Sequence, residues 1–189
     1  MIHTPVITMV RNATLSGQHK TLSTDPPARE APRTALELVL FVGVQASGKT
    51  TFYNQRFAAT HEHVSKDRMR SNPHPERRQQ HVIAVALTQR YSVVVDNTNA
   101  TFADRASLIL LGKTHGAQVI AYAFTGTISD SLRRNATREG RARVPPVAIF
   151  TTARKLAWPV YAEGFDQIFR VTLHDAEGYT VVPVPPTYP

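Results

Sequence analysis

LELVLFVGVQASGKTT, residues 36–51, decides how the rest of the chain is read. Its first seven residues form a nearly continuous apolar run, the pattern of a strand buried on both faces of a parallel sheet. The next eight, Gly43 to Thr50, fit G-x-x-x-x-G-K-[ST], the pattern of a phosphate-gripping loop. Gly43 and Gly48 permit backbone conformations that turn successive N–H groups inward, making an anion nest at the start of a helix. Ser47 and Thr51 flank that nest as further nucleotide-binding candidates. Lys49 is placed to reach the β- and γ-phosphates of a nucleotide, and the Thr50 hydroxyl to ligate Mg²⁺. The pattern is short enough to arise by chance. Here it lies between a predicted strand and a helix beginning near Lys49, which is the context that gives it meaning.

The chain has 189 residues, 42% of them hydrophobic, enough for one packed α/β domain and little more. It has no cysteine, which excludes a disulfide framework and a Cys-ligated zinc site and makes a cytoplasmic, intracellular location the default reading. No apolar run approaches the roughly 20 residues that a membrane span needs. A net charge of +8 favours polyanionic partners, nucleic acid before an anionic membrane surface; the plain alternative is a basic face with no such partner. Residues 1–34 carry no sustained period and are rich in Thr, Ser and Pro, so they read as a disordered tail, an acid-poor organelle leader being the other reading. Residues 181–189, VVPVPPTYP, hold too many prolines for an interior strand and read as an extended surface tail. The domain itself is expected over residues 35–180.

Within it, strands and helices alternate. HEHV (61–64), SVVVD (92–96), AQVIAYAF (117–124) and QIFRVTL (167–173) read as further strands. Helices are expected over residues 75–91, from Thr101 to near Gly116, through the basic segment after residue 125, and over residues 146–157; Thr101 with Asp104 makes a capping box for the second. Such alternation implies βαβ units: a parallel sheet of about five strands with helices on both faces.

A phosphate loop serves either hydrolysis or transfer. No Asn-Lys-x-Asp segment is present to read guanine for a switch GTPase. In VVVDNTN the strand-end Asp96 is followed by Asn97, where a motor ATPase would carry a water-activating glutamate. Transfer needs a base for the attacking hydroxyl and cations for the moving phosphoryl group. VSKDRMR, from Val64, offers Asp67 at the carboxyl end of the sheet and Arg70 one helical turn on. Asp67 reads equally as a general base or as a helix N-cap, and Arg70 as a binder of an acceptor phosphate. LRRNATREGRARVP holds five arginines between Arg133 and Arg143 against one acid, Glu139. The four-residue step from Arg134 to Arg138 sets both on one helical face, and Gly140 and Pro145 bracket a loop able to close over a triphosphate; a solvated basic helix or a nucleic-acid patch is the alternative.

Taken in order, GVQASGKTT, SKDRMR, VVVDNTNATFADRASL and RNATREGRARVP resemble the kinase domain of polynucleotide 5′-hydroxyl kinases. EGFDQIFRV (163–171) resembles the tail of that domain, so the likeness spans roughly residues 36–173. The resemblance implies a P-loop kinase fold with an arginine-rich lid, ATP as donor (GTP also fits the loop), Mg²⁺, and the 5′ ends of DNA or RNA as partners, with no membrane involved. It implies that Lys49 and Thr50 grip the nucleotide and metal, that Asp67 deprotonates the 5′-hydroxyl, and that Arg70 holds a nearby phosphate of the acceptor. Asp96 would orient Arg70, Asn97 would meet the acceptor or form only a polar turn, and Arg134 and Arg138 would touch the donor's phosphates, Arg138 as a catalytic group. The loop VQAS carries fewer glycines than the family's loop often does. Two other readings compete: a P-loop kinase of a small-molecule hydroxyl, such as a sugar or nucleoside, and a non-catalytic module that binds nucleic-acid ends. Trp158, before Pro159, reads as helix-end packing or as a base-stacking platform; His74, His81 and the HEH histidines lack a partner set for metal.

Overall fold

A computed structural model describes residues 35–69, 73–174 and 177–186. The apolar run becomes β1 (Glu37–Val42), whose last five residues are buried, and it occupies the middle of a six-stranded sheet. On one side it pairs with β3 (Ser92–Val95), which in turn pairs with β2 (His61–Val64). On the other it pairs with β4 (Gln118–Thr125), followed by β5 (Gln167–His174) and β6 (Gly178–Pro183). Strands β1 to β5 run parallel and β6 is antiparallel to β5.

Residues of alternating parity along β1 feed two cores, as the period of a strand requires. Leu38 and Leu40 pack with Val93, Val95, Ile83 and Leu87, the last two from α2 (Pro75–Thr88), and with Leu108 and Ile109 from α3 (Phe102–Thr114). Val39 and Phe41 pack with Ile120, Phe124 and the aromatic residues Phe52 and Tyr53 of α1 (Lys49–Arg56), and with Phe57 beyond it. Phe41 meets Phe52 and Phe124 with ring centroids 5.9 and 5.3 Å apart. Burial on both faces is why β1 reads as an unbroken apolar run rather than an alternating one.

The expected capping box is present: the Asp104 amide donates to Thr101 Oγ1, and the Thr101 amide donates to Asp104 Oδ2. α4 (Ile128–Ala136) and α5 (Pro146–Lys155) follow β4. The sheet departs from the five-stranded expectation by one strand. Residues 181–183, assigned from their prolines to a surface tail, are the last three of β6. Proline is tolerated there because β6 lies at the sheet edge, where an N–H is not required on the outer side. Its Tyr179 hydroxyl donates to the Gly48 carbonyl at 2.7 Å, so the edge strand braces the start of α1. The parallel register brings the segments that follow β1, β2, β3 and β4 to one edge of the sheet, where open α/β folds bind ligands.

Candidate functional site

The loop after β1 turns through two left-handed residues, Ala46 (φ +60°) and Gly48 (φ +98°). Glycine takes that conformation freely, and a Cβ on Gly48 would lie 2.9 Å from Leu173 and Tyr179. Alanine takes it at a cost on the order of 1 kcal/mol. Ala46 thus marks the place where the sparse glycine content of VQAS is felt. Its carbonyl accepts a hydrogen bond from Arg134 Nε at 3.0 Å, one of the contacts that hold it there.

Lys49 is folded back on the loop. Its Nζ donates to the carbonyls of Gly43 and Val44 and to Ser47 Oγ, and the residue is only 8% exposed. Burial lowers its pKa from 10.5 to about 8; Arg138 lowers it too, while Asp96 and Asp67 oppose the fall. Thr50 Oγ1 donates to Asp96 Oδ2 at 2.6 Å, and the same carboxylate oxygen pairs with His63 Nε2 at 3.0 Å. Burial works against the Asp96 charge, but hydrogen bonds from His63 and Thr50 and the charge on Lys49 outweigh it and hold the carboxyl below its ordinary value. The His63 ring stacks on Tyr53, with centroids 4.2 Å apart. A hard divalent cation such as Mg²⁺ takes oxygen ligands and keeps several waters, and the Thr50 hydroxyl beside the Asp96 carboxylate is a donor set of that chemistry.

The turn after β3 is anchored rather than loose. The Thr98 carbonyl accepts from the Gly43 amide at 3.0 Å, and Asn99 (φ +43°) donates through Nδ2 to the Phe41 carbonyl at 2.8 Å. Asn97 Oδ1 accepts from the Lys66 amide, which fixes the turn that carries Asp67; its Nδ2 is buried and has no hydrogen-bond partner among the described residues. The two asparagines have separate structural roles. Asn99 makes the turn, and Asn97 joins β3's end to β2's.

Six of the singled-out residues line one cavity of about 310 Å³: Lys49, Thr50, Asp67, Asp96, Asn97 and Arg138. Gln45 and Arg141 share it. Asp67 is exposed in the 3₁₀ turn Lys66–Met69, its amide donating to Ser65 Oγ at 3.3 Å. Arg70 lies outside the described residues, so the partners seen for Asp96 are Thr50 and His63. Gly43, Ser47 and Gly48 shape the loop from behind, without lining the cavity. Thr51 points elsewhere and hydrogen-bonds the Tyr179 hydroxyl.

The arginine-rich segment differs from the expectation in one respect. α4 stops at Ala136, because the Thr137 hydroxyl turns back to the Arg134 carbonyl at 2.9 Å, so Arg134 and Arg138 do not share a helical face. Arg134 reaches the back of the phosphate loop, whereas Arg138 lines the cavity and donates to the Ala142 carbonyl. Buried Asn135 closes the intervening loop: its Nδ2 donates to the Val144 carbonyl at 2.7 Å, and its Oδ1 accepts from the Val144 amide at 3.0 Å. Sequence reasoning overlooked His63, Arg141 and Asn135. The available signal for His63 was a polar residue one position from the end of a strand leading into Asp67; for Asn135 there was none.

A central parallel sheet, a phosphate loop between β1 and α1, and an arginine-bearing segment after β4 together make a P-loop kinase fold. The chain belongs to an AAA-domain family, AAA_33, whose model matches residues 38–156. Among solved structures it is similar to a chain of the Pnkp1/Rnl/Hen1 RNA repair complex, at 22% identity and a TM-score of 0.55, with 68% of this chain and 46% of that one covered. The chain thus spans about half the length of that relative. It is also similar to Chaetomium thermophilum Kti12 in complex with ADP-AlF3, at 17% identity and a TM-score of 0.57, covering 74% and 91%. A gluconokinase from Sinorhizobium meliloti matches at 19% identity and a TM-score of 0.51, covering 72% and 82%. Among the described residues no helix is long and apolar enough to cross a membrane.

Proposed function

We propose that the protein transfers the γ-phosphate of ATP to the 5′-hydroxyl end of DNA or RNA. The observation that carries this reading is the meeting of Lys49, Thr50, Asp67, Asp96 and Arg138 around one cavity at the mouth of the phosphate loop. Lys49 and the loop amides hold the triphosphate. To do so, Lys49 exchanges its carbonyl partners for phosphate oxygens, so the buried ammonium contacts an anion in place of the carbonyl dipoles. Thr50 and Asp96 hold Mg²⁺, which supplies charge neutralisation to the phosphates when bound. Asp67 accepts the proton of the attacking hydroxyl as the new oxygen–phosphorus bond forms and the bond to the ADP bridging oxygen breaks. Arg138 faces the charge that builds on the transferring group. His63 orients Asp96 from behind.

Likeness to an RNA repair complex and the +8 charge support a polynucleotide acceptor; likeness to a gluconokinase supports the rival, a small hydroxyl compound. One panel separates them: labelled ATP with a 5′-hydroxyl DNA strand, the matched RNA strand, their 5′-phosphorylated controls, a nucleoside and gluconate. Label on the 5′-hydroxyl strands alone supports the proposal. Label on gluconate or on the nucleoside but not on either strand overturns it in favour of the rival. No label on any acceptor while ATP is bound overturns it in favour of an end-binding module.

A further inference from the structure

A concavity of about 570 Å³ shares no residue with the phosphate-loop cavity. Its floor follows from strand register. Ala123 and Thr125 of β4 lie opposite Arg170 and Thr172 of β5, so one face of these parallel strands presents a small apolar patch that ends in two hydroxyls and a guanidinium. Its wall is the Trp158–Pro159 corner, just past the end of α5. Trp158 is 48% exposed, so its ring is open to a ligand from solvent. Arg170 is exposed and makes no ion pair among the described residues. An accessible indole beside an unpaired guanidinium, in a hollow of nucleotide size, suits a base against the ring and a phosphate on the cation.

We infer that this hollow is a second nucleotide-binding site, which holds one nucleotide of a single-stranded polynucleotide away from its reacting end, with the base on Trp158 and a phosphate on Arg170. The inference rests on the polynucleotide reading above and adds where the strand is held. The hollow is tied to the phosphate loop by hydrogen bonds through α5. Gln45 Nε2 donates to Thr152 Oγ1 at 3.0 Å, and the Ala157 amide, next to Trp158, donates to the Ala100 carbonyl at 2.8 Å beyond the Asp96 turn. A strand seated on Trp158 therefore rests on elements that also frame the catalytic cavity. Arg170 supplies this hollow's own contribution to the salt-sensitive affinity.

Trp158 is the only tryptophan in the 189 residues, so the protein's indole fluorescence reports on this hollow directly. The full chain, without ATP, is titrated with a 5′-phosphorylated single-stranded 10-mer, which cannot serve as an acceptor. Saturable quenching is expected, and Arg170→Gln should weaken it about tenfold and lower the slope of log affinity against log salt by about 0.7. Anisotropy of a labelled 10-mer should show a loss of similar size for Trp158→Ala. With a nucleoside 3′-phosphate as acceptor, Arg170→Gln should leave kcat/KM unchanged; with a 5′-hydroxyl 10-mer it should raise KM about tenfold at constant kcat. Unchanged fluorescence while anisotropy shows the strand bound would overturn the inference. So would quenching by ATP but not by the strand, since the hollow would then hold the donor's base. Because quenching needs no turnover, this failure is distinct from absence of phosphoryl transfer.

Discussion

Lys49 is a charged group held where charge is costly. In the folded protein its pKa is about 8, against 10.5 for an ordinary lysine, with burial as the main cause. The unfolded chain therefore binds this proton more tightly, and stability rises with pH between about 8 and 10.5. Below pH 8 the whole penalty is present, on the order of 3 kcal/mol before any relaxation. Nucleotide-free Lys49→Met should thus be more stable than the parent at pH 7 by about 1–3 kcal/mol, the remainder offset by the carbonyls of Gly43 and Val44 that lose their donor. That margin should shrink by pH 10, as urea denaturation at the two pH values would reveal, while phosphoryl transfer is lost at both. Asp67 presents the opposite case, an exposed carboxylate on a short turn. Asp67→Asn should cut kcat by a factor of about 10² to 10⁴ and leave ATP affinity within about twofold, measured by label transfer beside equilibrium nucleotide binding.

At the scale of elements, the loop that carries Arg138 depends on one amide. Asn135 satisfies both backbone groups of Val144 from inside the protein, and Asn135→Ala leaves them buried or solvated at about 1–3 kcal/mol. The expected readout is a raised KM for ATP and earlier proteolytic cleavage between residues 137 and 145, with the sheet's thermal transition lowered by only a few degrees. The elements themselves were largely legible. The β1 run, the glycine loop and the Thr101–Asp104 box each carry a local signal, and each forms where its residues indicate. β6 was not legible, because its pairing with β5 is a tertiary choice that overrides the prolines at its end. The end of α4 was missed for a similar reason. A run of arginines continues a helical pattern on paper, and only the Thr137 hydroxyl and the Asn135 clasp stop it. Within the site, the loop pattern pointed to Lys49 and Thr50 and the end of β2 to Asp67, whereas His63 required knowledge of which strand end meets Asp96.

For the molecule as a whole, one buried cation joins segments far apart in sequence. Arg105, with no exposed surface, donates from Nε and Nη2 to the two oxygens of Glu163 and from Nη1 to the carbonyls of Asn99 and Ala157. Removing it strands the Glu163 charge and two carbonyls, so Arg105→Ala should cost about 3–5 kcal/mol, read by denaturant midpoint. Arg105→Lys should recover little, since an ammonium cannot match the two-pronged pairing. The +8 charge sets a further expectation for the whole surface: KM for an oligonucleotide should climb steeply between 50 and 200 mM salt while KM for ATP changes far less. The sheet's last strand carries another consequence. Pro183 sits where a further chain would look for a donor, and Pro185 and Pro186 follow after Val184, so this border of the sheet offers a poor template for recruiting strands from other molecules. A chain cut after residue 177 would bare the flank of β5, and the expected result is concentration-dependent clumping, visible by light scattering, before any loss of helix signal.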